Sequence, residues 1–298
     1  MAKTAFTFPG QGSQAVGMGK ALADAYPEAR AVFEEVDAAL GRKLSAIMFE
    51  GPDETLRLTE NAQPALMAVS MAVLKVLESQ GVTVANATSF VAGHSLGEYS
   101  ALCAAGTFSL SDTAKLLDIR GRAMQAAVPV GEGAMAAILG LELDAVRAVA
   151  AEAAQGSVCD VANDNAPGQV VVSGAAAAVA RAIELAKAAG AKRALPLPVS
   201  APFHCVLMTP AAEGMAEALA EVKMSAPAVP VIANVTARPV TDPDAIRQHL
   251  IDQVTGMVRW TESVSWLAGE GGVDTLVEVG AGKVLTGLVR RIAADATA

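Results

Sequence analysis

Apolar positions along this chain switch between two spacings, short runs of branched residues and longer helical stripes. Residues 4–9 read as a strand that runs into the glycine-rich Gly10-Gln11-Gly12-Ser13-Gln14. Between 64 and 79, Leu66, Val69, Val73 and Val76 recur at helical spacing, and Gly81 follows as a stop signal. Residues 88–92 form a short strand that meets Gly93-His94-Ser95-Leu96-Gly97, and a helix of small residues follows. Ser111 is placed to cap a helix reaching to about Ala127.

The middle of the chain changes character. It predicts a strand at 134–139, a helix at 144–154, a strand at 157–162, a turn at 163–168, a strand at 170–173, a helix at 176–189 and a strand at 193–197. That is the β-α-β-β-α-β order of a ferredoxin-like unit. Gly131, Gly133, Pro196 and Pro198 bracket it as linkers would. The expectation is an α/β protein with a small domain at 128–199 inserted into a larger domain made of 1–127 and 200–298. Further strands are expected at 229–235 and 275–279, and no internal repeat or low-complexity tract is evident.

Composition narrows the function classes. The chain has 298 residues, 53% hydrophobic and 18% charged, enough apolar material to fill a large core and too little charge for a disordered chain. Aromatics are only 4%, so close-packed helices against a sheet of branched residues are favoured. No run approaches the roughly 18 apolar residues of a membrane span, and residues 1–8 make a poor secretion signal. Three cysteines without a CxxC pair suggest neither a disulfide framework nor a zinc knuckle, and a reducing cytoplasm suits them. A net charge of −9 argues against a nucleic-acid binder.

Gly93-His94-Ser95-Leu96-Gly97 fits the G-x-S-x-G nucleophile elbow, with a strand before it and a helix after it. Glycines flank the serine because the turn is too tight for larger side chains, and the Leu96 N–H at the helix start can face a developing oxyanion. A serine needs a base, and the chain has three histidines. His94 adjoins Ser95 and should point away from it, and His249 sits in a polar helical stretch as a surface residue. His204, in Ser200-Ala201-Pro202-Phe203-His204 on a proline-stiffened loop after a strand, is the favoured base. None of Asp112, Asp118, Asp144, Asp160 or Asp164 falls at an obvious main-sheet strand end, so a backbone carbonyl or an amide side chain could orient it instead of a carboxylate.

Arg120 falls in the middle of the apolar face that Leu116, Leu117 and Met124 define, while Lys115, Asp118 and Arg122 share the solvated side. A guanidinium turned into the fold needs an anion, either an internal carboxylate or that of a substrate. The Gly10-x-Gly12-x-x-Ala15 pattern is a weak dinucleotide match, because Glu34 and Glu35 lie in a helical stretch instead of ending a second strand. Gly280-Ala281-Gly282-Lys283 lacks phosphate-loop spacing, and Cys205 reads as a small packed thiol.

Taken in order, Phe8-Pro9-Gly10-Gln11-Gly12-Ser13-Gln14, Gln63-Pro64-Ala65, Gly93 to Tyr99, Arg120-Gly121, Met124-Gln125, Gly133 to Ala137, Asn165 to Gln169, Leu197 to Ser200 with His204, and Glu278-Val279-Gly280 form one pattern. With these motifs the chain resembles the malonyl-CoA:acyl carrier protein transacylases of bacterial fatty-acid synthesis over essentially its whole length. The resemblance implies an α/β-hydrolase-like core with a ferredoxin-like insertion. It implies transfer of malonyl from malonyl-CoA through a Ser95 ester to the phosphopantetheine thiol of holo acyl carrier protein, with no cofactor. It further implies that His204 is base and acid, that the N–H groups of Gln11 and Leu96 form the oxyanion hole, and that Arg120 holds the malonyl carboxylate. A main-chain carbonyl at Gln253 would orient the histidine, Asn165 would stand near the site mouth, and Phe203 would bear on acyl-group choice. A serine esterase or thioesterase with the same elbow is the competing expectation, and a noncatalytic scaffold the third. Lys192, Arg193, Arg290 and Arg291 are candidates for carrier docking.

Overall fold

A computed structural model describes residues 3–298. Its strands, in chain order, are β1 (Thr4–Phe8), β2 (Phe90–Gly93), β3 (Gly133–Leu139), β4 (Cys159–Ala166), β5 (Gln169–Ala175), β6 (Arg193–Pro196), β7 (Val231–Ile232), β8 (Pro239–Val240), β9 (Val258–Arg259) and β10 (Thr275–Glu278). They form two five-stranded sheets, β10-β1-β2-β7-β8 and β6-β3-β5-β4-β9, within a mixed α/β architecture. No described helix is long and apolar enough to cross a membrane.

The first sheet is parallel apart from its edge strand β8. In β1, Ala5, Phe6, Thr7 and Phe8 are all buried, as a strand covered on both faces requires. Phe8 pairs with Gly93, so β1 and β2 end side by side, and the loop after β1 and the elbow after β2 leave from the same edge. That carboxyl edge is where open α/β sheets place their ligands.

The second sheet has its own helices and a second role. Ala136, Ile138, Val170 and Val172 pack with Val146 and Val179 of the helices Leu143–Ala154 and Ala176–Ala188 into a separate core. Strand side chains alternate, so Met135 and Val171 face the other way and join the main core and the site cavity. The predicted strand at 157–162 is longer than expected, because β4 continues to Ala166 through two register shifts. Residues 163–166 of the predicted turn are therefore strand. The expected 229–235 strand contributes only Val231 and Ile232 to the ladder. A fifth strand, β9, was not expected in this sheet and pairs with β4 in parallel.

Two helix starts also differ from expectation. The cap of the helix Leu110–Ala126 is Ser109, whose side chain accepts from the Asp112 N–H, while Ser111 instead donates to Glu35. The helix expected from Pro64 begins at Thr59, and Pro64 lies inside it. The proline removes the donor that the Glu60 carbonyl would use, and Arg42 Nη2 supplies one at 3.1 Å. This helix is buried almost all round, which explains why its apolar stripe is broad.

Backbone approaches at the elbow are the tightest in the fold that bear on the site. A Cβ on Gly93 would lie 1.8 Å from the Gly97 carbonyl oxygen, and one on Gly97 would lie 2.2 Å from that of Phe8. Backbone cannot yield as a flexible side chain can, so Gly97→Ala should cost about 3 kcal/mol of stability. Denaturant unfolding of that variant measures it, and a midpoint equal to the parent's would contradict the packing.

Candidate active site

Ser95 sits between β2 and the helix Leu96–Ala104 at φ 54°, ψ −113°, a left-handed conformation that a non-glycine residue holds only under constraint. The constraint is visible. Asn234 Oδ1 accepts from the Ser95 N–H at 2.7 Å, and Asn234 Nδ2 donates to the Gly93 carbonyl at 2.7 Å, clamping both sides of the turn. The Ser95 hydroxyl lies 2.8 Å from His204 Nε2.

His204 is buried and also held at positive φ, 58°, on the loop between β6 and the helix Thr209–Ala220. Its Nδ1 is 2.9 Å from the Gln253 main-chain oxygen. A carbonyl only accepts, so Nδ1 carries the proton and Nε2 is left free to accept from Ser95. Burial, and next the Arg120 charge, hold the imidazole down at about 3, against the pull of that carbonyl. Of the carboxylate, backbone carbonyl and amide side chain that the residue pattern left open, the backbone carbonyl is the one present.

Arg120 is 1% exposed on the buried face of its helix. Its Nη1 donates to Gln63 Oε1 at 2.7 Å, and its Nη2 donates to Gln253 Oε1 at 2.8 Å and to Ser95 Oγ at 3.2 Å. The Tyr99 ring lies beneath it, 5.6 Å from the guanidinium carbon. No ion pair to Arg120 occurs among the described residues. The internal salt bridge that its position allowed is therefore not made. Glu98, whose charge acts on Arg120, bonds elsewhere, its Oε2 accepting from Gln253 Nε2 at 2.6 Å. Burial lifts the Glu98 carboxyl to about 7, against the Gln253 and Asn234 N–H donors and the Arg120 charge.

These groups open onto one cavity of about 280 Å³, whose lining includes Gln11, Ser95, Leu96, Arg120, Phe203 and His204. The backbone N–H groups of Gln11 and Leu96 have no acceptor among the described residues. Asn165 also lines the cavity, and its Oδ1 accepts from His94 Nε2 at 2.7 Å. His94 thus turns away from Ser95 and packs near Trp260. Gly10 belongs to the same packing, since a Cβ there would lie 2.8 Å from the His94 carbonyl oxygen. Close approach, not a nucleotide, accounts for that glycine. Cys205 is fully buried with its thiol on the Pro202 carbonyl at 3.1 Å.

Two expectations need correction or extension. His249 is half-buried instead of a surface residue, and its Nδ1 is enclosed without a partner among the described residues. Gln63, Glu98, Asn234 and the side chain of Gln253 had no role assigned from the residue pattern, yet they build the frame around Ser95 and Arg120. Their only sequence signal was polarity inside otherwise apolar helices, at Gln63 and Glu98.

The acyl transferase domain family model matches residues 5–296, and the chain belongs to this acyl transferase family. It is 50% identical over 298 residues to the malonyl CoA-acyl carrier protein transacylase of Escherichia coli (strain K12), covering 100% of this chain and 95% of that one. Among solved structures, the acyl-carrier-protein-S-malonyltransferase from Bartonella henselae is 60% identical with a TM-score of 0.97, covering 99% of this chain and 94% of that one. A malonyl-transacylase solved in complex with a type II PKS acyl-carrier protein is 45% identical with a TM-score of 0.96, covering 99% and 94%.

The depressed His204 value has a consequence in solution. The folded ring refuses a proton that the unfolded chain accepts below its ordinary 6.5, so stability contributed here is present above that value and lost as pH falls toward 3. His204 should therefore remain neutral at pH 5. Imidazole NMR shifts report this, and a titration midpoint near the ordinary value would contradict the burial.

Proposed function

We propose that the chain transfers a malonyl group from malonyl-CoA to the phosphopantetheine thiol of holo acyl carrier protein, by way of a malonyl ester on Ser95. The observation that carries this reading is the buried, anion-free guanidinium of Arg120 touching the same hydroxyl that His204 accepts from. A substrate carboxylate is the missing counter-charge, and the group bridging it to Ser95 must be short. The names of the relatives agree.

In the first half-reaction Ser95 Oγ attacks the thioester carbon while its proton passes to His204 Nε2. The carbonyl oxygen gains charge against the N–H groups of Gln11 and Leu96, the latter at a helix start. Charge forming beside the imidazole favours its protonation. A carboxylate docked on Arg120 also cancels part of the field that holds His204 down. The imidazolium returns the proton to the leaving CoA sulfur. The carrier's thiol then repeats the sequence in reverse. Nothing in these steps calls for a metal or cofactor, since the CoA thioester is a substrate.

Phe203, nearly buried beside the base, limits the bulk of the acyl group, and Asn165 shapes the wall by holding His94. The parallel β10-β1-β2-β7 run with a serine elbow after β2 supports an α/β-hydrolase-like core. The order β6-β3-β5-β4, with its own apolar core, supports a ferredoxin-like insertion at 128–199 between the parts 1–127 and 200–298. For the carrier, Arg291 reaches the Pro167 carbonyl at 2.7 Å, which brings the basic end of the last helix against the inserted sheet. An esterase using the same elbow has no need of an unpaired cation in its acyl pocket.

Incubation with labelled malonyl-CoA should give a labelled protein that holo carrier discharges, with no label on Ser95→Ala. Release of free malonate without carrier transfer would indicate the esterase instead. Arg120→Ala should lower malonyl transfer on the order of 100-fold, as loss of hydrogen bonds to a charged group in a dry site does, and relax the preference over acetyl-CoA. Unchanged selectivity in that variant would defeat the clamp.

A further inference from the structure

Thr59 begins its helix, but its hydroxyl does not serve the helix end. It is turned toward the loop after β1 and the residue is 2% exposed. There it donates to Gln11 Oε1 at 3.0 Å and accepts from Gln63 Nε2 at 2.9 Å, one turn further along. Gln63 in turn accepts from Arg120 Nη1 at 2.7 Å. These bonds make an unbroken chain, Arg120 to Gln63 to Thr59 to Gln11, running from the guanidinium to the loop after β1.

The direction of the chain is fixed. A guanidinium can only donate, so Gln63 must turn its oxygen to Arg120 and its NH₂ to Thr59. The hydroxyl, having accepted, donates onward to Gln11. Head-to-tail bonds polarised by a charge at one end reinforce one another in a low-dielectric interior. The loop at the far end needs such an anchor. Gln11 is exposed and precedes Gly12 at φ 105°. An N–H donor that stabilises an oxyanion must be held within about 0.5 Å of its place.

We propose that Thr59 is a positioning residue for acyl transfer. Its hydroxyl ties the Gln11 side chain, and with it the oxyanion-binding N–H, to the frame of Arg120. One cation would then set both ends of the acyl group, the carboxylate directly and the reacting carbonyl through Gln63, Thr59 and Gln11. The inference rests on the transfer reading above, and a different residue tests it.

The experiment measures single-turnover release of CoA from malonyl-CoA by the full chain. Thr59→Val keeps the shape and deletes both hydrogen bonds. It should slow acylation about 10-fold, less than outright loss of an oxyanion donor, with KM for malonyl-CoA within about 3-fold. Thr59→Ser keeps the hydroxyl and should recover to within about 3-fold of the parent, which a purely structural role for the residue does not predict. Gln11→Ala, which leaves the backbone N–H in place, should slow acylation similarly and add nothing on top of Thr59→Val. A Thr59→Val protein that acylates at the parental rate, or is impaired in KM alone, overturns the inference. So does a Thr59→Ser protein as slow as the valine variant, or a double variant whose losses multiply. If Thr59→Val does not fold, Gln11→Ala on the exposed loop decides, with a parental rate overturning the inference. If Ser95→Ala releases CoA as fast as the parent, the transfer reading itself has failed and the inference falls with it.

Discussion

The structure is organised around a positive charge that the protein itself does not neutralise. Arg120 lies in the core with its guanidinium on two glutamine amides, a serine hydroxyl and the face of Tyr99. Burying a cation without an anion is costly, and neutral acceptors offset that cost at Nη1 and Nη2 while Nε has no partner among the described residues. A carboxylate in their place would have been simpler and would have quenched the charge. Glu98 is close enough to feel the guanidinium, yet its own bonds go to Gln253 and to the Asn234 N–H.

Gln253 is the hub of this arrangement. Its main-chain oxygen holds His204, its side-chain oxygen holds Arg120, and its amide NH₂ donates to Glu98 and to the Ser95 carbonyl at 3.1 Å. One residue thereby fixes the relative positions of His204, Arg120 and Ser95. A backbone carbonyl in the place of a third carboxylate also leaves the imidazole without a negative neighbour. Burial and Arg120 therefore dominate its proton affinity.

Much of this was legible from the residues, and the boundary is physical. The β-α-β-β-α-β order of the middle segment could be read because period-2 and period-3.6 stripes alternate there cleanly. The elbow could be read because backbone contact at Gly93 and Gly97 leaves no room for a side chain. Arg120 stood out as a charge on an apolar face. What stayed hidden depends on contacts between segments far apart in the chain. Val258 and Arg259 gave no strand signal, since two residues have no period, and only pairing with β4 makes them one. The start of the long helix was misplaced because Pro64 reads as a helix opener, and Arg42 satisfying the Glu60 carbonyl is invisible in one dimension. Asn234 and the side chain of Gln253 sit in unremarkable stretches and gain their roles only once β7 and the helix Pro243–Thr255 bring them against Ser95.

Strand β9 ties the two sheets together in a way the element order does not suggest. It follows the helix Pro243–Thr255, which supplies Gln253, pairs with β4 of its own sheet beside the asparagines that line the cavity, and donates from the Arg259 N–H to the Asn234 carbonyl at 3.0 Å, just after β7 of the first sheet. The two sheets are therefore stitched together by main-chain bonds. A hinge that swung them apart would have to unzip that seam. Any widening of the cavity is left to side chains and loops at its rim, while the hydrogen bonds joining Ser95, His204 and Arg120 lie on the frame beneath. Residues 128–199 by themselves lack β9, the strand that completes their sheet, and would expose β4 as a raw edge prone to pairing with other chains.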